Sequence, residues 1–364
     1  MADEKPKLQP ELQIDNTKPV MVTGATGYVA GWLVKRLLEA GVTVHAPVRS
    51  PGDKRKVGYL EDMAHAAPGE LKLFQADLLE DGSYTEAMAG CTTVFHTASP
   101  FTSNIADPQR DLVDPAVKGT RNVLNSVNDT PSVERVVLTS SCAAIFGDNS
   151  DVSRAPGGKL TEDVWNTSSS LEHNAYAFSK TEAEKAAWEI AKAQDRWKMV
   201  VINPSLVLGP AVGGKPTSES FSLMKGFGDG KMKAGAPPYE IGMVDVRDVA
   251  DAHIRAAFVP SAEGRHITSA RTVSFLELGQ MLRDGIDGNY PFPTRTLPAW
   301  LLSVVGPIMD KNITRRFVRE NMNKRWRADN TKIKRELGVE FSPVADAAVD
   351  MFQQLVSEGE IKAR

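Results

Sequence analysis

Cysteine is almost absent from this chain: Cys91 and Cys142 are the only two among 364 residues. Two cysteines make no disulfide framework, and neither stands at metal-ligand spacing from a second donor, so no metal is expected. A reducing, cytoplasmic setting fits that usage. An excess of either charge is missing too. The 43 Lys and Arg against 46 Asp and Glu leave a net −3, and a pI near 6.1 gives no footing for nucleic acid as a partner. Long hydrophobic runs are also missing. The longest uncharged apolar stretch toward the C-terminus, 297–309, is too short to span a bilayer and is interrupted by Pro298 and Pro307. It reads as a buried helix or a lid, with membrane attachment a lesser alternative and no membrane span. The first 13 residues lack the apolar core of a signal peptide, and 1–16 reads as a flexible tail. What is left is an ordinary globular composition, 41% hydrophobic and 24% charged. It suits one large α/β domain or two smaller ones, as a monomer or a homodimer.

Against that background one stretch stands out: Val22-Thr23-Gly24-Ala25-Thr26-Gly27-Tyr28-Val29-Ala30-Gly31. A short apolar run precedes it, and a helical pattern through Ala40 follows, closed by Gly41. Strand, glycine turn and helix in that order form the context of a dinucleotide-binding loop. Gly24 permits the tight turn and Gly27 lets the backbone approach a pyrophosphate. Ala30 is small enough for the helix to pack on its strand, and the N–H groups at the helix start can meet phosphate oxygens. The plainer alternative is a strand–helix turn with no ligand.

Apolar runs of strand length alternate with helical patterns from about residue 18 to 203. Strands are predicted at 19–23, 42–48, 71–75, 93–96, 135–139 and 199–202, and helices at 27–40, 53–66, 83–89, 108–128 and 174–195. Right-handed crossovers turn that alternation into a doubly wound parallel sheet, with chemistry at the carboxyl ends of the strands. From 209 to 238 the chain is rich in Gly, Pro and Ser and reads as loop. A helix at 246–259, a strand at 265–269 and a mainly helical remainder follow. The expected organisation is a dinucleotide-binding domain over 17–204 and about 242–270. A smaller, mostly helical substrate-binding region takes 205–241 and 271–364. Residues 311–335 are strongly basic, which reads as a solvated helix face.

The second predicted strand ends at Arg49. NAD sites usually carry Asp or Glu there, bonded to the ribose hydroxyls. A carboxylate would repel a 2′-phosphate, whereas a guanidinium pairs with it in a forked geometry. With Lys54, Arg55 and Lys56 close behind, this strand end favours NADP(H). The cations at 54–56 alone would read as the solvated start of a helix. Asp77, at the end of the third strand, suits an adenine amine or an N-cap equally.

Tyr176 and Lys180 stand four apart at the start of a strong helical pattern, hence on one face, one turn apart. An ammonium beside a phenol lowers the tyrosine pKa from its reference of roughly 10, so that the phenol can transfer a proton near neutral pH. The fifth strand runs Val136-Val137-Leu138-Thr139-Ser140-Ser141 and ends in hydroxyls. One of Ser140 and Ser141 can donate to a substrate oxygen; otherwise both merely cap a turn.

With these residues the chain resembles the extended short-chain dehydrogenase/reductase family. Within it the likeness is to the dihydroflavonol 4-reductase-like group, closest in motif to microbial NADPH-dependent aldehyde and ketone reductases. It runs from about 18 to 341. It rests on the 23–30 glycine turn, Val94-Phe95-His96-Thr97-Ala98-Ser99-Pro100-Phe101, Val117-Lys118-Gly119-Thr120-Arg121-Asn122-Val123-Leu124, the 138–141 strand end, the Tyr176/Lys180 pair, and 203–210. The resemblance implies a Rossmann-type α/β fold. It implies Ser141 as the hydroxyl that orients the carbonyl, Tyr176 as general acid, and Lys180 as the group that holds the nicotinamide ribose and lowers the tyrosine pKa. It puts Thr23, Gly24, Thr26, Gly27, Tyr28 and Val29 around the cofactor phosphates, Arg49 and Lys56 on the 2′-phosphate, and Asp77 and Leu78 at the adenine. Thr97, Ala98 and Ser99 fall beside the ribose and diphosphate, and Pro204 and Ser205 against the nicotinamide.

Departures from the group's patterns bear on substrate. Phe146 stands where flavonoid reductases often carry Asn. The Asn174-Ala175-Tyr176-Ala177-Phe178-Ser179-Lys180 segment differs from the Asn-Trp-Tyr-Cys-Tyr-Gly-Lys of cinnamoyl-CoA reductases. Ala116 replaces the Asn that many extended members place before Val117. The implied activity is NADPH-dependent reduction of a small aldehyde or ketone to an alcohol. Phe101, Phe146, Tyr239 and Met243 are candidate apolar pocket walls, or else core. Other readings on the same fold are a nucleotide-sugar epimerase or dehydratase, a hydroxysteroid-type dehydrogenase, and a non-catalytic NADP-sensing protein.

Overall fold

The apolar runs become strands within a few residues of their expected bounds. The computed structural model describes residues 12–100, 105–213, 218–309 and 313–363. Its first strands are β1 (Val20–Thr23), β2 (Val44–Val48), β3 (Leu71–Gln75), β4 (Thr93–His96), β5 (Arg135–Thr139) and β6 (Lys198–Pro204). Every residue of β1, β2 and β4 is buried, because parallel strands between helix layers are covered on both faces. Helices α1 (Tyr28–Glu39), α2 (Lys54–His65), α3 (Thr85–Met88), α4 (Asp114–Asn128), the single turn α5 (Asp151–Arg154) and α6 (Ala175–Lys192) link them. After β6 come β7 (Leu206–Leu208), α7 (Glu219–Gly228), β8 (Glu240–Asp245), α8 (Val246–Phe258), β9 (Gly264–Thr268), β10 (Arg271–Ser274) and α9 (Phe275–Gly285). The chain then runs through α10 (Ala299–Met309), α11 (Arg315–Asn321), α12 (Thr331–Leu337) and α13 (Val344–Ser357).

The main sheet is parallel throughout, in the order β3-β2-β1-β4-β5-β6-β9. This is the expected Rossmann-type doubly wound fold, with its order reversing between β1 and β4, the crevice where such sheets take ligands. One face packs on α1 and its neighbour α8, around Leu33, Leu37, Val200 and Ile254. The other packs on α4 and α6, around Met21, Val123, Leu124 and Met199. Truncating a wholly buried leucine such as Leu37 to alanine costs about 2–5 kcal/mol in such cores.

The second half departs from expectation. Within 209–238, read as loop, lies α7. Its Phe221, Met224 and Phe227 face a third core with Met243, Leu278, Met351 and Phe352, but Gly226 and Gly228 mask the helical pattern in sequence. Residues 242–245, assigned to the dinucleotide-binding domain, instead belong to β8, the centre of a separate sheet ordered β10-β8-β7. Strands of three to six residues are too short for alternation to register. The helix expected at 108–128 opens with a π-helical turn, Gln109–Val113. Leu12 and Ile14, placed in the 1–16 tail, rest against the first core.

Candidate active site

Parallel pairing sends the carboxyl ends of β1 to β6 to one rim, so Gly24, Arg49, Asp77, Thr97, Ser141 and Ser205 emerge together. Gly24 has φ +65°, and a Cβ there would meet Ala98 Cα at 2.9 Å. Only glycine lets the loop pass this close to the end of β4. The Gly27 N–H donates to the Gly24 carbonyl at 2.7 Å and closes the turn. Gly27 is also the N-cap of α1, where no side chain caps the helix and no acid occupies the first turn. Thr26 and Gly27 are exposed. An uncapped, acid-free helix start open to solvent suits a pyrophosphate.

Two residues expected around the phosphates use their side chains elsewhere. The Thr23 hydroxyl is buried, 3.0 Å from His96 Nδ1, and accepts from the N–H groups of Thr97 (3.1 Å) and Ala98 (3.0 Å). The Thr97 hydroxyl donates back to the Thr23 carbonyl. Thr23 thus fastens the ends of β1 and β4 together beneath the loop. Burial, with the nearby Lys180 charge adding to it, pulls His96 down to about 3, so the imidazole in that clasp is neutral. Tyr28 donates its hydroxyl to the Gly209 carbonyl at 2.6 Å and packs edge-on against Phe221. What positions 28 and 29 offer a phosphate is their backbone.

Arg49 is exposed just past β2 and makes no ion pair among the described residues. Its basic neighbours do: Lys54 with Glu61 at 2.6 Å, Arg55 with Asp53 at 3.0 Å, and Lys56 with Asp53 at 3.9 Å. Of the two cations read as 2′-phosphate ligands, Arg49 is uncommitted and Lys56 is shared with Asp53. Asp77 accepts from the Leu79 N–H at 2.9 Å, the local turn role. Leu78 rests against the second core.

Ser140 and Ser141 follow β5, and their hydroxyls part. Ser140 is buried and donates to Glu184 at 2.5 Å. Ser141 caps the turn Cys142–Ala144, accepting from the Ala143 N–H at 3.1 Å. Across from it α6 begins at Asn174, a non-glycine residue in the left-handed region (φ 56°, ψ 55°). Two bonds hold that conformation: Asn174 Nδ2 donates to the Gly147 carbonyl at 2.8 Å, and its Oδ1 accepts from the Ala177 N–H at 3.3 Å. The preceding residue, His173, is buried with Nε2 2.7 Å from Asp148 Oδ2, and Asp148 Oδ1 accepts from Asn321 of α11 at 2.6 Å. A hydrogen-bonded chain therefore runs from α11 to the turn that carries Tyr176.

Tyr176 is 43% exposed. The atoms crowding its hydroxyl push the phenol well above its ordinary value, the Glu219 carboxylate at the start of α7 adds to that, and a hydrogen bond with Ser141 pulls the other way. That direction is opposite to the one expected from an ammonium one turn along. Burial of the hydroxyl outweighs the rest, and Lys180, whose Nζ lies over the Tyr176 ring 5.8 Å from its centre, donates to Ser99 Oγ at 3.0 Å. Burial lowers the Lys180 ammonium to about 8.

Glu184 sits one further turn along α6 and is 1% exposed. Besides Ser140, it accepts from Asn203 Nδ2 at 2.8 Å and Trp188 Nε1 at 3.2 Å, and it pairs with Arg265 at 2.6 Å. Asn203 also donates to the Ser141 carbonyl at 3.2 Å, so the Glu184–Arg265 pair anchors the floor beneath Ser141. Sequence reasoning misses Glu184, Arg265, His173 and Asp148. The one signal available was the four-residue step from Lys180 to Glu184 on a single helix face. Behind Lys180, a cavity of about 20 Å³ lined by His96, Ser99, Ala116, Ser140 and Glu184 has room for about one water. A larger hollow of about 420 Å³ between α9 and α13 shares no residue with this constellation.

The expected pocket walls fare differently. Met243 is wholly buried in the third core, and Phe146 is buried with its ring edge-on to Trp326 at 5.7 Å. Both are core residues, because one lies in the central strand of the small sheet and the other under the Ser141 turn. Tyr239 is half-buried between Phe275 and Phe317. Phe101 lies outside the described residues. Pro204 ends β6, and the Ser205 N–H donates to the Thr268 carbonyl at 3.1 Å, which places both at the rim.

A glycine turn on an open helix start, an unpaired arginine at the next strand end and a Ser–Tyr–Lys cluster at the rim mark the class: a nicotinamide-dependent oxidoreductase of the extended short-chain type. Residues 20–268 match the NAD dependent epimerase/dehydratase family, and the chain belongs to that family. It is 41% identical over 268 residues to cinnamoyl-CoA reductase CAD2 of Medicago truncatula, covering 73% of this chain and 80% of that protein. Over 280 residues it is 39% identical to tetraketide alpha-pyrone reductase 2 of Arabidopsis thaliana, covering 76% and 84%. Among solved structures, Gre2 from Candida albicans in complex with NADPH aligns at a TM-score of 0.72 and 28% identity, over 93% of this chain and 99% of that one.

Proposed function

We propose that the protein is an NADPH-dependent reductase that converts aldehyde or ketone carbonyls to alcohols, with Ser141, Tyr176 and Lys180 as its catalytic residues. The observation that carries this reading is the convergence of those three side chains, from two separate elements, on the rim beside the glycine turn. The relatives named above are reductases, and one similar structure holds NADPH. The chain's own residues fit that cofactor. Gly24 and the open start of α1 suit the pyrophosphate, and the unpaired Arg49 suits the 2′-phosphate.

Bound on this rim, NADPH supplies the hydride that reduces the carbonyl carbon. Ser141 donates a hydrogen bond to the carbonyl oxygen and holds it beside Tyr176. With its pKa raised, the phenol is fully protonated at neutral pH, and it delivers that proton to the oxygen. Lys180 is charged at neutral pH, and its ammonium stabilises the phenolate that remains. Its bond to Ser99 points it at the end of β4, where the ribose is expected. Glu184–Arg265 and His173–Asp148 touch no reacting atom and position the residues that do. Two cysteines, both free and buried, suit a cytoplasmic enzyme. The test is a panel of aliphatic, aromatic, keto-ester and flavonoid carbonyls run with NADPH and with NADH. Turnover of at least one member with NADPH preferred supports the reading. No turnover across the panel, or a preference for NADH, contradicts it.

A further inference from the structure

The large apolar residues described between 297 and 307, a stretch expected as a buried helix or a lid, are not buried. Trp300 is 69% exposed and Val304 59%. Pro307 is exposed on the same stripe of α10, three residues beyond Val304. Leu301, Leu302 and Val305 are only half-buried, and no charged residue occurs from 297 to 309. An exposed apolar stripe of this kind marks a surface that something covers. The neighbouring charge indicates what. Between 295 and 327 the chain carries eight Lys and Arg against two Asp and Glu, although the whole chain is net −3. Arg295 precedes α10, and α11, which packs on α10, brings Arg315, Arg316 and Arg319. All four are exposed, as are Lys324 and Arg325 just beyond. Arg316 bonds the Ser168 carbonyl and Arg319 pairs with Glu320. Arg315, Lys324 and Arg325 make no ion pair among the described residues.

A tryptophan-bearing apolar helix beside a cluster of cations fits the interface of an anionic bilayer, with the indole at headgroup depth and the cations on lipid phosphates. Among the described residues no helix is long and apolar enough to cross a membrane, so α10 can lie only on the surface. We propose that α10, with the basic residues of α11 and of the segment that follows it, docks this protein on anionic phospholipid membranes. This docking does not depend on the catalytic assignment.

Flotation of the full chain with vesicles tests it, comparing phosphatidylglycerol–phosphatidylcholine vesicles with phosphatidylcholine alone. The protein floats with the anionic vesicles, stays behind with the neutral ones, and is released by high salt. The double variant Trp300→Ser/Val304→Ser, which alters only exposed side chains, lowers the bound fraction about tenfold and leaves Tm within about a degree of the parent's. Arg315→Gln/Lys324→Gln lowers it by about tenfold or more. Failure to float with anionic vesicles overturns the proposal, as does equal flotation with neutral vesicles, or a Trp300→Ser/Val304→Ser variant that floats like the parent. A parent that is dimeric by light scattering, does not float, and becomes monomeric in that variant assigns the stripe to a second copy and also overturns it.

Discussion

His173 Nε2 lies 2.7 Å from Asp148 Oδ2, both side chains buried, three residues before the exposed Tyr176. The contact joins the start of α6 to Asn321 on α11. It also abuts Asn174, the left-handed residue from which α6 departs. Replacing His173 with Gln should lower kcat about tenfold, the scale of a small misplacement of a catalytic group, with the NADPH dissociation constant within about twofold of the parent. Asn321→Ala, remote in sequence, should move kcat in the same direction. A folded His173→Gln protein with unchanged kcat would remove the positioning role.

Arg49 is the basic residue at the end of β2 that no acid among the described residues holds. Arg49→Ala should raise the KM for NADPH by about ten- to a hundredfold, the range for loss of a charge-assisted pair, and leave the KM for NADH nearly unchanged. Lys56→Ala should have a smaller effect, because Asp53 already shares that ammonium. An unchanged cofactor preference in Arg49→Ala counts against the 2′-phosphate role.

Gly24 combines a positive φ with a 2.9 Å approach to Ala98 Cα. Gly24→Ala should cost about 1–3 kcal/mol of stability. It should also abolish the rise in Tm that NADPH gives the parent. A variant as stable as the parent, and equally protected by NADPH, would show that the loop does not need glycine there.

Lys180 has its folded pKa lowered to about 8 by burial, below the value of an exposed lysine, roughly 10.4. Between those values the unfolded chain binds more protons than the folded one, so this residue's contribution to stability rises with pH. The burial cost is full at neutral pH and fades as pH climbs from about 8 toward 10.4. Lys180→Met should therefore be more stable than the parent at pH 7 by denaturant unfolding, with the gap narrowing toward pH 10. In the opposite sense, kcat/KM of the parent should fall as pH rises through about 8, because the ammonium is lost. A stability gap independent of pH would contradict the burial of a charged Lys180.

Much of the fold was legible because its signals are local. β1 and the Val136–Thr139 part of β5 are runs of β-branched and apolar residues, and the glycine turn and the Tyr176–Lys180 step are spacings within one segment. The choice between Ser140 and Ser141 was not local. It depends on Glu184, 44 residues away, capturing Ser140. The same holds for the Arg265 partner of Glu184 and for the Asn321 end of the His173 chain, which exist only once distant elements pack. Met243 and Phe146 misled because an apolar residue after a loop looks the same in sequence whether it lines a cleft or fills a core. The direction of the Thr23 hydroxyl was not legible either, because the motif fixes its place and the residues after β4 capture it.

Tyr176→Phe tests the proposed proton delivery from Tyr176 to the reduced carbonyl most directly. Steady-state turnover of the best carbonyl from the panel, measured alongside NADPH binding by fluorescence titration, should show kcat reduced about a thousandfold with the NADPH dissociation constant within about twofold. A Tyr176→Phe enzyme that retains most of the parent's turnover would contradict the account.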